Sequence, residues 1–477
     1  MSEATPTIAE LLAALPPTAD ESDERRPAGD ELRAMLADLG RTGVPTGRLR
    51  RLWSLGTLQA KIAAAYLAWW LRSGFVDAES RRQGLEETHV AAAIGVLGRM
   101  SYLRGAVMKL GQVLAHWPDV LPVGFSEVLG RLHSEAPPMH FALVRELFVR
   151  ELGGEPREVF QDFEPEAFAA ASLGQVHRAR LRSDGRPVAI KVQYPDIART
   201  IRSDLANLRA VSFPARLSGD WENLLAQFDG IQRMLEQEVD YLAEARWTRS
   251  AARTLAGLED VVVPAVVDEV STCRVLVTEY LEGRHLDAFL ATDPDQETRD
   301  RYGRLIARAS FRMWYSGRAI YADPHPGNFL FLDDGRLGLI DFGCCHAFSD
   351  EEFAYVMEIE HAAQAGDPER LATALAHGCD LAPGELKGER LDKMLEYCAW
   401  LWEPVLTDAE FDFGAPDQFR RGVELYGEFT RRRWTRSQPV NVWLTKVFFG
   451  ERAMLTHLGA RVPYGALMRD EAARAGV

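Results

Sequence analysis

The stretch Tyr321-Ala322-Asp323-Pro324-His325-Pro326-Gly327-Asn328, followed by Leu339-Ile340-Asp341-Phe342-Gly343, sets an Asp, an Asn and a second Asp in order on two loops. The second loop follows the strand-like Arg336-Leu337-Gly338-Leu339-Ile340. Moving a phosphoryl group from a magnesium-bound nucleotide needs such a set: one carboxylate to orient or deprotonate the nucleophile, and an amide with a carboxylate to hold the metal. Taken singly, Asp323 and Asn328 read as turn residues beside Pro324 and Gly327. Taken together, with a lysine and a glutamate placed upstream, they read as a site.

That lysine stands in Val188-Ala189-Ile190-Lys191-Val192. The strand is preceded by the hairpin turn Asp184-Gly185 and by Ala169-Ala170-Ala171-Ser172-Leu173-Gly174-Gln175-Val176-His177-Arg178-Ala179. Two strands joined by a turn, the first entered through a small-residue loop and the second carrying a Lys among apolar residues, form the phosphate-covering half of a kinase-like nucleotide site. Such a site also needs a buried Glu on the helix after the Lys strand. The pattern predicts helices over Ile201–Leu217 and Trp221–Thr248. In the second, Glu238, Asp240 and Glu244 are candidates, with Asp240 and Glu244 on one face; a solvated acidic face is the simpler reading of the helix alone. Strands over Val261–Val267 and Arg274–Tyr280 end at Leu281-Glu282-Gly283, where a hinge to a helical lobe would fall, with Glu279 and Tyr280 at its edge. A helix over Gln296–Tyr315 leads to the opening stretch, and mostly helical sequence follows through Leu467.

Upstream, residues 1 to about 45 contain Pro16-Pro17 and the acidic cluster Asp20-Glu21-Ser22-Asp23-Glu24, and read as a loosely ordered leader. Arg48 to Leu71 turns from basic to apolar and aromatic, a pattern that suits an anionic membrane surface or, as such stripes more often do, packs against the protein's own core. Residues 89–116 continue helical. There Lys109 and Gln112, three apart around Gly111, share one face. Prolines 118, 122, 137 and 138 interrupt the chain before a helix over Phe141–Leu152.

The 477 residues and 47% hydrophobic content fit a globular protein of two to four domains with a large core. A net charge of -15 without a long basic tract argues against a nucleic-acid binder. The five cysteines (Cys273, Cys344, Cys345, Cys379, Cys398) include no CxxC pair and read as reduced thiols of a cytoplasmic protein. Met1 to Leu15 lacks the marks of a secretory signal, and the longest apolar run, Ile62 to Leu71, is half the length of about 20 residues needed to span a bilayer.

With Lys191, Glu244, Asp323, Asn328 and Asp341 placed, the chain from about residue 90 to about 465 resembles the UbiB (AarF) family of atypical, protein-kinase-like ATPases. Lys109-Leu110-Gly111-Gln112 looks like that family's KxGQ motif, Ala169 to Gln175 like its alanine-rich loop, and Glu238-Val239-Asp240 like its ExD motif. The resemblance implies an α+β, two-lobed protein-kinase-like fold: a leader over 1–45, a helical extension over 46–152, an N-lobe over 153–280 and a C-lobe over 281–477. It implies ATP and Mg2+ as cofactors. Lys191 would hold the α and β phosphates and pair with Glu244, Asp323 would be the catalytic Asp, and Asn328 and Asp341 would ligate Mg2+. Ala169, Ala170, Ala171, Ser172, Gly174 and Gln175 would cover the phosphates, and Lys109 and Gln112 would fold over the site to meet Glu238 and Asp240.

The family's guarded channel favours ATP hydrolysis or action on a small lipid-related molecule over protein phosphorylation. The expected partners are an isoprenoid or quinone-like lipid, enzymes of lipid biosynthesis and the inner face of a membrane, approached peripherally. Two departures stand out. Tyr321 occupies the place of the family's His, as a structural strut that should leave activity intact. The C-terminal transmembrane hairpin of the quinone-biosynthesis members has no counterpart in the sequence, which weakens the link to ubiquinone. A small-molecule phosphotransferase, or a non-enzymatic scaffold that responds to nucleotide, are the alternative readings.

Overall fold

The computed structural model describes residues 139–201 and 232–477, apart from positions 172, 196, 200, 234, 380, 383, 433, 435–437 and 439. Lys109, Gln112 and Ser172 fall outside the described residues, as do the helices expected over 48–71, 89–116 and most of 201–231. Pro138–Pro195 and Ala226–Val477 form one compact unit, with a sheet-rich half and a helical half.

The sheet-rich half follows from alternation. Strands β1 (Phe160–Gln161), β2 (Ala169–Ala171), β3 (Gly174–Leu181), β4 (Pro187–Gln193) and β6 (Val275–Glu279) make one antiparallel sheet, in the order β1-β3-β4-β6 with β2 on the far end of β3. β5 (Val261–Val262) belongs to another sheet. Val188, Ile190 and Val192 share one face of β4 and pack with Val275, Val277 and the buried face of helix α1 (Phe141–Leu152), namely Val144, Leu147 and Phe148. A period of two then turns Lys191 to the opposite face. There Tyr241 and Ala245 of helix α2 (Tyr241–Leu255) pack on Leu276, the residue directly across from Lys191. The turn at Asp184-Gly185 closes with Gly185 at φ 75°, a conformation that suits glycine.

Two sequence expectations change here. Ala169–Ala171 is not a loop: it pairs with Gly174–Val176 as a short hairpin, because β3 supplies hydrogen bonds that override alanine's weak strand preference. The helix expected over Trp221–Thr248 breaks at Val239-Asp240 among its described residues. Asp240 is the N-cap of α2, its Oδ1 accepting from Leu242 N at 3.0 Å, and Gln193 Nε2 donates to the exposed carbonyl of Val239 at 2.8 Å. A short side chain that satisfies the first free N–H groups starts a helix and does not continue one.

The helical half is built around α4 (Gln296–Tyr315), which keeps the predicted bounds and follows the short α3 (Leu286–Leu290). Asp295 caps α4 by accepting from Thr298 N at 2.9 Å. After α4 come β7 (Ala319–Tyr321), the hairpin β8 (Phe329–Phe331) and β9 (Leu337–Leu339), and β10 (Cys345–Ala347). β9 pairs in parallel with β5, and β10 pairs with β7, so the loops after β7 and β9 are both pinned at their ends. Helices α5 (Asp350–Ala365), α6 (Pro368–Gly378), α7 (Gly388–Leu406), α8 (Gln418–Arg431), α9 (Val440–Leu458) and α10 (Tyr464–Ala475) complete the chain, with the strand pair β11 (Phe411–Asp412) and β12 (Arg461–Val462). The buried pair of Arg312 on α4 and Glu471 on α10, Nη2 to Oε1 at 2.9 Å, ties the C-terminus to the central helix.

Candidate active site

The loops after β7 and β9 meet the cleft face of β4. Lys191 Nζ donates to both oxygens of Glu244, at 2.8 and 2.9 Å, and to Asp341 Oδ2 at 2.9 Å. Glu244 is buried one turn into α2, so the cap at Asp240 fixes its position. Asp341 is held from its other side by Gly343 N, which donates to Oδ1 at 2.9 Å. Two carboxylates around one ammonium leave a net negative charge. Burial and the Asp341 charge push Glu244 up to about 7, whereas Lys191 and the Gly343 amide keep Asp341 below the usual range against its own burial. Lys191 is held charged, well above its ordinary value: burial opposes its charge, and Asp341 and Glu244 outweigh that cost.

Asp323 stands on the neighbouring loop. Asn328 Nδ2 donates to Asp323 O at 2.8 Å and to Oδ2 at 3.2 Å, closing the Pro326–Asn328 turn back on the Asp. With its nitrogen so used, Asn328 keeps Oδ1 as the acceptor end of its amide. That amide oxygen and Asp341 are a donor set of the kind Mg2+ takes, since it binds one or two protein ligands and completes its shell with phosphate oxygens and water. Gly174 adds a backbone cradle: a Cβ there would lie 2.2 Å from Val192 O and 2.8 Å from the Tyr241 hydroxyl. Only a bare backbone lets the β2–β3 turn approach the Lys191 strand so closely.

Other predicted residues are placed differently. Gln175 is buried, its Oε1 accepting from Met139 N at 2.6 Å and its Nε2 donating to His177 Nε2 at 2.8 Å, so its side chain faces the core under the turn and not the cleft. Asp240 caps α2 and lies 3.5 Å from Arg246. Glu238 is buried on the helical residues 235–238, where its charge raises Glu244 further. Glu279 is exposed at the end of β6. Tyr280 Oη accepts from Arg178 Nη2 at 2.7 Å, and the Arg178 guanidinium lies over the Tyr280 and Phe168 rings at 4.6 and 4.9 Å. Tyr321 is buried against Phe342 and Phe329, ring centroids 5.3 and 6.1 Å away, as a strut under both loops.

Sequence reasoning missed three contributors. Phe168 and Arg178 flank the hinge-side edge of the cleft, and the alternation of β3, which puts Arg178 across from Ala189, is the signal that could have found them. Lys446, on α9, lies with Nζ 3.0 Å from Asp323 Oδ1 and 3.3 Å from Cys344 Sγ. A lone Lys on an amphipathic helix carries no local signal of such a contact.

A small antiparallel sheet with its Lys–Glu pair, a hinge, and a helical half that brings Asp, Asn and Asp to that Lys define a protein-kinase-like fold. The model of the ABC1 atypical kinase-like domain matches residues 131–375, and the chain belongs to this family, the UbiB/AarF atypical kinases. It is 31% identical to the atypical kinase COQ8B, mitochondrial, of Rattus norvegicus, over 84% of this chain and 76% of the relative. It is 32% identical to the atypical kinase coq-8, mitochondrial, of Caenorhabditis elegans, over 90% of this chain, and spans 58% of that protein's length. A solved structure of Rv3197 with erythromycin, from Mycobacterium tuberculosis, superposes with a TM-score of 0.53 at 25% identity, covering 83% of this chain and 98% of that one.

Proposed function

We propose that the protein binds Mg-ATP in this cleft and catalyses transfer of the terminal phosphoryl group to water or to a small lipid-related acceptor. The observation that carries the reading is Lys191 held between Glu244 and Asp341, with Asp323 and Asn328 beside it. Lys191 would turn to the α and β phosphates, Asn328 and Asp341 would hold Mg2+, and Asp323 would orient the acceptor oxygen. The bound metal would neutralise phosphate charge; the chain's own groups position and hold protons. Gly174 and the Ala169–Ala171 hairpin would cover the phosphates, and Leu281-Glu282-Gly283, between a lobe over 153–280 and one over 281–477, would offer backbone groups to the base.

The acceptor class proposed is an isoprenoid or quinone-like lipid met at a membrane surface, with enzymes of lipid biosynthesis as partners; similarity to atypical kinases of the COQ8 group supports it. No described helix is long and apolar enough to cross a membrane. The erythromycin complex of the mycobacterial structure adds a macrolide to the ligands to be tried. The test is nucleotide binding and phosphate release with Mg2+, with and without lipid and detergent, beside Asp341→Asn. Wild-type turnover abolished by Asp341→Asn is expected; equal silence of both proteins in every condition refutes the enzyme.

A further inference from the structure

Of the chain's 55 Lys and Arg residues, only six are lysines. Where arginine supplies nearly all the positive charge, a lysine packed out of solvent marks a place for a compact ammonium that a guanidinium fork would not fit. Two of the four that lie among the described residues converge on one site. Lys191 meets Asp341 at 2.9 Å, and Lys446, its side chain 12% exposed, meets Asp323 at 3.0 Å.

The position of Lys446 is built by a whole helix face. Trp443, Lys446 and Gly450, spaced i, i+3 and i+7, lie on one side of α9. The Trp443 ring stacks on His346 of β10 with centroids 5.1 Å apart. Gly450 meets Pro324, where a Cβ would come within 2.5 Å of Pro324 Cγ. Between these two contacts α9 sets the Lys446 ammonium against Asp323 and Cys344. The Asp323 carboxylate is shared, one oxygen with Lys446 and the other with Asn328.

We propose that Lys446 is a second phosphate-facing cation, standing with Asp323 where the transferred phosphoryl group arrives, so that α9 completes a centre whose other described parts lie between residues 169 and 341. This rests on the phosphoryl-transfer reading of the site. In that transfer the bond from the terminal phosphorus to its bridging oxygen breaks, and the electron pair leaves with the nucleoside diphosphate. A new P–O bond forms to the acceptor oxygen, whose proton passes to Asp323. The Lys446 ammonium donates to the oxygens of the phosphoryl group in flight, as Lys191 does to the phosphates that stay behind, from a helix already set against the loop. Both lysines are parked on carboxylates until phosphate draws them off.

The full-length protein tests this. Lys446→Met, with melting curves to show that it folds, should keep Mg-ADP affinity within about twofold, weaken Mg-ATP affinity about tenfold, and slow phosphate release about 100-fold. Gly450→Ala, which pushes α9 off Pro324 without touching the ammonium, should lower the ratio of ATP to ADP affinity in the same direction. An unchanged ratio and turnover in Lys446→Met overturn the proposal, as does an equal loss of ADP and ATP binding, which marks a purely structural role. A wild type that binds neither nucleotide refutes the phosphoryl-transfer reading itself, and Lys446's role falls with it.

Discussion

Replacing Glu451 by Gln should make the protein more stable at pH 8 and change it much less at pH 5. Glu451 is buried next to Gly450, accepts from the Tyr464 hydroxyl at 2.9 Å, and lines a small cavity behind the catalytic loop with Ile306, Met313, Tyr321, Pro324 and Phe342. Burial pushes its carboxyl up to about 7, against hydrogen bonds from Ser310 and Tyr464 that pull it down. Because the folded value lies above the unfolded one, the folded protein holds this proton more tightly. The stability so gained is complete below about pH 4.5 and is lost as pH rises through about 7. A displacement of some 2.5 units corresponds to about 3 kcal/mol. Gln has the shape and neutrality of the protonated acid and keeps an oxygen for Tyr464. The variant should therefore exceed wild type by less than about 1 kcal/mol at pH 5 and by about 3 kcal/mol at pH 8, raising Tm at pH 8 by about 6 °C at roughly 2 °C per kcal/mol. Urea unfolding and thermal melts of both proteins at pH 5, 6, 7 and 8 read the difference. A gap that does not change with pH, or a Gln variant less stable at pH 8, would refute the buried-acid account.

Three further outcomes follow from the packing. Glu471→Ala leaves Arg312 of α4 buried without its partner and should cost about 3–5 kcal/mol, read as a lower urea midpoint. Gly174→Ala forces a methyl group onto Val192 O and the Tyr241 hydroxyl; unfolding should show a loss of about 1–3 kcal/mol, and titration with Mg-ADP a loss of affinity that a substitution at the exposed Gly185 turn does not produce. Tyr321→Phe removes a buried hydroxyl that has no hydrogen-bond partner among the described residues, so the variant should be as stable as wild type or more stable by about 1 kcal/mol, with phosphate release retained; a clear loss of stability would mean that the hydroxyl is satisfied after all.

How much of this could be read beforehand depends on how local each cause is. The α4 helix keeps its predicted bounds because its signals are its own: Asp295 to start it, apolar residues at helical spacing within it, and Gly317 just beyond its end. Lys191 was legible for the same reason, since strand alternation alone sends it to the face opposite Val188, Ile190 and Val192. The unbroken helix expected over Trp221–Thr248 failed because Asp240 was weighed as a charge on a helix face. Its capacity to accept from Leu242 N was the stronger local force, and it ends one helix and begins the next. Gln175 misled in the same way: adjacency to the phosphate-covering turn suggested the cleft, but β3 alternates, and the side chain after Gly174 falls on the core side with His177.

Lys446 was beyond reach by any local rule, and the reason bears on the site as a whole. Its contact with Asp323 joins residues 123 positions apart, and no periodicity, cap or turn relates them. What fixes it is the close approach of Gly450 to Pro324, a steric fact about two helical turns and one loop. The residues in Asp323-Pro324-His325-Pro326-Gly327-Asn328 bring their own turn and their own Asn–Asp hydrogen bonds, so they can form wherever the flanking strands pair. The cation opposite them depends on the last third of the chain having packed. A centre divided in this way acquires its second ammonium only when α9 is docked, so perturbations of that docking face should register in ATP handling before they register in ADP binding.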